Sequence, residues 1–236
     1  MKQLIHSRWI CVWLALQATV YLAFLAIDLF HPELWMLSTA LKYLSILLCL
    51  AMAIRSHGLS WNQRDSSLLI TALAMTCLAD LFLLVLNLPL PGLLVFCAVH
   101  AIYLRRYYPA LFYRAAWPVA GVALAALAAG LLISSFPAQE VLASLYGCLL
   151  WTATVSAFLS PLPRRNRRLA SAGMVLFVLC DIHVALFNTL SAGNPYFPMA
   201  AVLMWFFYLP SQVLLTCSSI GLGEIEDKVM RFPPAP

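Results

Sequence analysis

The sequence predicts an all-α polytopic membrane protein, eight transmembrane helices in one bundle with both termini cytoplasmic, and three observations carry that prediction. Hydrophobic residues make up 64% of the 236-residue chain and charged residues only 10%, far below the charged content of about a quarter found in soluble domains. Eight apolar stretches succeed one another, most of them near the ~20 residues a helix needs to cross a bilayer. Of the 14 Lys and Arg residues, all but Lys42 lie at the termini or in alternate gaps between these stretches. The remaining gaps hold none, so the positive-inside rule places both termini and the basic gaps in the cytoplasm.

The expected spans are residues 9–27, 34–54, 67–87, 90–104, 116–135, 141–159, 169–188 and 197–219. Span one follows Lys2 and Arg8 and is too long for the ~7–15-residue apolar core of a signal peptide; with no small-residue cleavage site after it, it is expected to be a retained helix. Span two enters from the turn that carries His31 and Glu33 and leaves at Arg55. Span three follows Arg64, and span four ends at Arg105 and Arg106. Spans five and six flank Glu140. The polar, proline-marked turns Ser160-Pro161-Leu162-Pro163 and Ala192-Gly193-Asn194-Pro195 open spans seven and eight. Residues 1–222 thus form one membrane domain. Residues 223–236, rich in proline at their end, are expected to be a disordered cytoplasmic tail.

Composition also excludes several function classes. The net charge of +5 belongs to short positive-inside loops, and Arg164, Arg165, Arg167 and Arg168 are suited to anionic lipid headgroups rather than to nucleic acid. Seven cysteines are scattered singly with no C-x-x-C pair, which argues against disulfides and thiolate metal sites. No phosphate-binding glycine loop, zinc-protease helix motif or nucleophile elbow is present.

Ionisable residues inside the spans are therefore the informative ones, because each costs about 2.5–3.5 kcal/mol to insert at mid-bilayer. Counted inward at ~1.5 Å per residue, Lys42, Asp80 and Asp181 come to a common level about 18–20 Å from the cytoplasmic boundary, with Tyr208 at about 17 Å. One lysine neutralises one carboxylate, which leaves the second best accommodated as a neutral acid. Such a pair can act as acid and base. A structural ion pair between Lys42 and one aspartate is the plainer alternative. His100, about two turns from the end of span four, and Gln212, one turn beyond Tyr208, could orient an acid or a substrate; for His100 a purely structural bond to a neighbouring helix is the competing reading. His183 points about 200° away from Asp181 and makes a poor co-ligand. Asp80 and Asn87 in span three match Asp181 and Asn188 in span seven, consistent with a 4+4 duplication in which each Asp and Asn share a helical face.

The residues Leu41-Lys42-Tyr43, the run from Cys77 to Asp80, the segment from Gly92 through Phe96 and His100 to Tyr103, the stretch from Gly173 through Phe177 to Asp181, and Tyr208-Leu-Pro-Ser-Gln212 together resemble the YhhN family of membrane lysoplasmalogenases. The chain departs from the family pattern at Tyr43, Ala79 and Cys180, with the ionisable groups retained. The resemblance implies cleavage of the vinyl-ether bond of a lysoplasmalogen to a fatty aldehyde and glycerophospho-ethanolamine or glycerophosphocholine. That chemistry asks for a carboxylic acid to protonate carbon, a carboxylate to stabilise the cation and deprotonate water, and an apolar slot for the chain. Asp80 and Asp181 are expected to share the acid and base roles, in an order the sequence leaves open. Lys42 would bias their ionisation, and His100, Tyr208 and Gln212 would position water or the glycerol hydroxyl. Arg105 or Arg106 would attract the phosphate. No metal or organic cofactor is required. The expected partners are the lysophospholipid and membrane lipids, and short loops suit a bacterial inner membrane. A proton-coupled transporter using the same Lys/Asp cluster is the main alternative. A zinc amidase would need more histidines than His100 and His183.

Overall fold

The computed structural model describes residues 2–133 and 137–221. They form eight helices: α1 (Lys2–Phe30), α2 (Trp35–Arg55), α3 (Gln63–Asp80), α4 (Pro89–Tyr107), α5 (Pro109–Leu132), α6 (Ala138–Leu159), α7 (Arg164–Thr189) and α8 (Tyr196–Cys217). A π-helical turn, Leu81–Val85, extends α3. Among the described residues the extended structure is one isolated bridge, Ser60 to Ile220. The anticipated tail lies outside the described residues.

Each expected span overlaps one of these helices, residues 134–135 of the fifth lying outside the described residues. Seven helices are long and apolar enough to cross a membrane, which makes this a multi-pass membrane protein. α4 differs: it ends in Arg105 and Arg106, opens on Pro89 and Pro91, and carries His100 among only 19 residues. Its polar side chains are tolerated because it packs against both α3 and α6, with Phe96, His100, Tyr103 and Tyr107 buried along one face. The outer surface is apolar in the way lipid requires, with Trp117 at 85% and Phe30 at 74% exposure.

Two close approaches fix the bundle. α7 and α8 pack along most of their length; a Cβ on Gly173 would stand 2.8 Å from the Leu215 side chain and 3.2 Å from its backbone nitrogen, so only glycine lets the two helices meet there. α3 and α4 approach at Gly92, where a Cβ would come within 2.6 Å of Leu83 in the π turn. That turn corrects one expectation. The helix closes with Leu86 N–H donating to Leu81 O (3.0 Å), and Asn87 leaves it in a left-handed conformation, φ 51°, so Asp80 and Asn87 do not share a helical face. In α7, by contrast, Asn188 stays helical and its Nδ2 donates to Val184 O (2.8 Å). The likeness between spans three and seven ends at the aspartates.

At the basic end the chain is tied down by polar contacts. Asn166 Nδ2 donates to the carbonyls of Ser218 (2.8 Å) and Ile220 (3.1 Å), and Gly221 N–H donates to Leu59 O (2.9 Å). Arg106, nearly fully buried, donates to Asp65 through Nε (2.7 Å) and Nη2 (2.8 Å), and Trp61 Nε1 donates to the same carboxylate (3.2 Å). Bidentate geometry and burial make this a structural clamp between α3 and α4.

Candidate active site

Asp80 is the last residue of α3 before the π turn and is 4% exposed. Tyr208 Oη, from α8, donates to its Oδ2 at 2.8 Å. Asp181, in the middle of α7, is partly exposed and receives a hydrogen bond from Tyr146 Oη of α6. Each carboxyl is therefore held by a phenol from a neighbouring helix. Among the described residues neither makes an ion pair with Lys or Arg.

An aromatic cluster joins the two halves. Phe177 of α7 sits edge-on to Tyr208 at 5.5 Å and to Phe96 at 6.1 Å, and His100 of α4 lies 4.9 Å from Phe177 and 5.1 Å from Tyr146, all measured between ring centroids. The path Asp80, Tyr208, Phe177, His100, Tyr146, Asp181 is continuous. Of the four groups that the sequence places at one level, Asp80, Asp181 and Tyr208 adjoin this cluster together with His100, and Lys42 does not face the aspartates. His100 is fully buried and neither ring nitrogen has a partner among the described residues. Gln212, also fully buried, has neither amide atom bonded. His100 therefore does not make the structural hydrogen bond to a neighbouring helix weighed for it among the described residues.

Lys42 does not join the aspartates. Its ammonium pairs with Asp28 Oδ2 at 2.7 Å, and Ser38 Oγ donates to Asp28 Oδ1 at 2.5 Å. The reason is directional: helical side chains lean toward the N-terminus of their own helix. Lys42, on a helix that starts at the end opposite the basic loops, leans toward that end; Asp80 and Asp181, on helices starting at the basic end, lean the other way. The expected tuning of the aspartates by a directly paired lysine is thus replaced by an α1–α2 ion pair. Arg106 is also excluded from contacting a lipid phosphate next to the site. It is committed to Asp65, which lies fifteen residues from Asp80 on the same helix, roughly 22 Å at the α-helical rise. His183 Nδ1–H donates to Leu179 O (2.7 Å) within its own helix and its ring stacks on Phe207, as its direction on the helix predicted.

Two residues were missed. Asp28 falls one residue beyond the expected end of span one. Tyr146 is an aromatic in a run of aliphatic residues; its signal is that a phenol at mid-depth needs a partner for its hydroxyl. Two grooves lie elsewhere. One of about 240 Å³ runs between α1 and α2, along Trp9, Trp13 and Met52. The other, about 320 Å³, separates α5 from α4 and is lined by small residues including Ala98, Ala101, Ala120 and Ala123. Neither touches the carboxyls.

The model of the YhhN family matches residues 37–219, a stretch that contains Lys42, Asp80, His100, Tyr146, Asp181, Tyr208 and Gln212. No curated protein and no solved structure matches the chain. The chain belongs to the YhhN family.

Proposed function

We propose that this YhhN-family protein is an integral-membrane hydrolase of the lysoplasmalogenase type, cleaving the vinyl-ether bond of a lysoplasmalogen by acid/base catalysis at Asp80 and Asp181. The observation that supports the reading is the pair of carboxyls, each without a cation among the described residues and each hydrogen-bonded by a tyrosine, at the two ends of one aromatic cluster inside an apolar bundle. A vinyl ether is activated by protonation at carbon. One aspartic acid gives its proton to the alkenyl carbon two bonds from oxygen, forming an oxocarbenium ion. The other, as carboxylate, stabilises that cation and takes a proton from the water that attacks it. The resulting hemiacetal collapses to aldehyde and the glycerol hydroxyl, so one water is consumed per bond cleaved. Neutral acid and carboxylate coexist most readily where two carboxyls share one low-dielectric site.

Tyr208 and Tyr146 orient the carboxyls, and His100 and Gln212 supply hydrogen bonds to water or glycerol. Phe96, Phe177 and Trp205 provide the apolar surroundings of the alkenyl chain. In this reading the protein sits in a bacterial inner membrane, with the Arg-rich loops on the cytoplasmic side. The test is aldehyde release by the purified protein from a defined lysoplasmalogen, with diacyl lipids and acyl lysophospholipids alongside. Aldehyde from the vinyl ether alone is expected. Turnover of the acyl lipids without aldehyde would overturn the assignment.

A further inference from the structure

The Asp28–Lys42 pair is an unexplained expense. Bringing both charges out of water costs several kcal/mol per ion, and apolar residues of similar volume hold helices together at least as well. The pair is mostly covered yet reachable, at 15% and 12% side-chain exposure. Lys42 Nζ lies over the ring of Trp205 at 5.2 Å and that of Phe24 at 5.9 Å, and Ser38 fixes the Asp28 carboxylate from its other oxygen. Trp205 in turn meets Tyr208 edge-on at 5.2 Å, and Tyr208 holds Asp80. The ion pair is therefore separated from the candidate catalytic carboxyl by two rings, those of Trp205 and Tyr208.

Depth agrees with a lipid standing upright between them. Asp28 lies two residues before the end of α1 and Ser38 lies near the start of α2, so the pair sits toward the bundle end opposite the Arg-rich loops. Asp80 leans the other way and lies deeper. In a lysophospholipid the phosphorus and the sn-1 ether oxygen are five bonds apart, roughly 6 Å at about 1.5 Å per bond, enough to carry the sn-1 linkage past the Trp205 ring toward Tyr208, whose hydroxyl holds Asp80.

We propose that Asp28 and Lys42 form the receptor for a zwitterionic phospholipid headgroup, Lys42 taking the phosphate and Asp28 the ammonium, with the sn-1 linkage delivered to Asp80. The protein's internal ion pair is exchanged for two pairs with the ligand, so net charge in the site stays zero throughout. The lipid enters from the leaflet opposite the Arg-rich loops, headgroup outward and chain pointing into the bundle. Asp28 precedes the stretch matched to the family, so this half of the receptor is contributed by α1 of this chain. The catalytic consequence rests on the hydrolase reading; the binding site itself does not.

The test uses the full-length protein in nanodiscs and uncleavable saturated 1-O-alkyl lysolipids carrying either phosphoethanolamine or phosphate alone. Wild type is expected to prefer the phosphoethanolamine lipid. Asp28→Asn should weaken it about 10- to 100-fold, the worth of one charge-assisted hydrogen bond, and leave the phosphate lipid nearly unaffected. Lys42→Gln should weaken both. The swapped double variant Asp28→Lys with Lys42→Asp should restore the unfolding temperature without restoring binding, whereas a merely structural pair would recover both or move neither affinity. Absence of a headgroup preference in wild type overturns the proposal even where variants fail to fold. If binding follows this pattern while wild type releases no aldehyde, the receptor stands and the hydrolase reading falls; aldehyde release without the pattern removes the receptor alone.

Discussion

Asp65 and Asp80 stand on one helix fifteen residues apart, both buried, and the protein treats them in opposite ways. Asp65 receives two hydrogen bonds from Arg106 and one from Trp61, which satisfies its charge and locks α3 to α4. Asp80 receives one hydrogen bond from a phenol and, among the described residues, no cation. A buried carboxyl whose charge is paired is a fastener; one left with a single neutral donor is, in the proposed reading, the group that exchanges a proton. Asp181, with Tyr146, belongs to the second kind.

Substitutions at these sites should separate the two roles. Asp80→Asn and Asp181→Asn should each lower aldehyde release by about 10²–10⁴-fold, the usual worth of a positioned acid or base, with the unfolding temperature held near wild type. Asp65→Asn should do the reverse. Removing one partner of a buried pair costs about 3–5 kcal/mol, visible as a large fall in unfolding temperature, while the folded fraction keeps its turnover per molecule. An Asp65→Asn protein of normal stability would dissolve the contrast.

The tyrosines sharpen it. Tyr208→Phe leaves a buried acceptor short of its donor, a loss of about 1–3 kcal/mol, read as roughly a 10- to 100-fold fall in kcat. Tyr146→Phe should cost less, because Asp181 is partly exposed and can recruit water. Equal effects would argue that the two carboxyls have equivalent surroundings. The smallest effect concerns the frame: Gly173→Ala should destabilise by about 1–3 kcal/mol through overpacking on Leu215, whereas Gly147→Ala, which meets nothing within 4 Å, should leave the unfolding temperature near wild type.

Much of this was legible in the sequence because the bilayer imposes a simple ruler. Apolar length located the helices, and counting along them puts Lys42, Asp80, Asp181 and Tyr208 at one level. The count fails where the side chain, rather than its Cα, decides the contact. Lys42 shares a level with the aspartates along the helix axes, yet its side chain leans a turn toward the opposite end and finds Asp28. Hydropathy also obscures residues at its own thresholds. Asp28 was lost because the apolar run stops at Ile27, and α4 is less hydrophobic than a lipid-exposed span because so much of it is covered by protein. The π turn after Asp80 has no signature in a run of leucines, so the displacement of Asn87 could be seen only in coordinates.

The account turns on protonation of a vinyl-ether carbon by one of two aspartates, and single-turnover aldehyde formation in D2O by wild type and by the Asp80→Asn and Asp181→Asn variants tests it most directly. Wild type should deliver an aldehyde carrying one deuterium on the carbon next to the carbonyl, more slowly than in H2O, and neither folded variant should deliver aldehyde at a comparable rate. Wild-type aldehyde free of deuterium, or undiminished aldehyde from both variants, would contradict it.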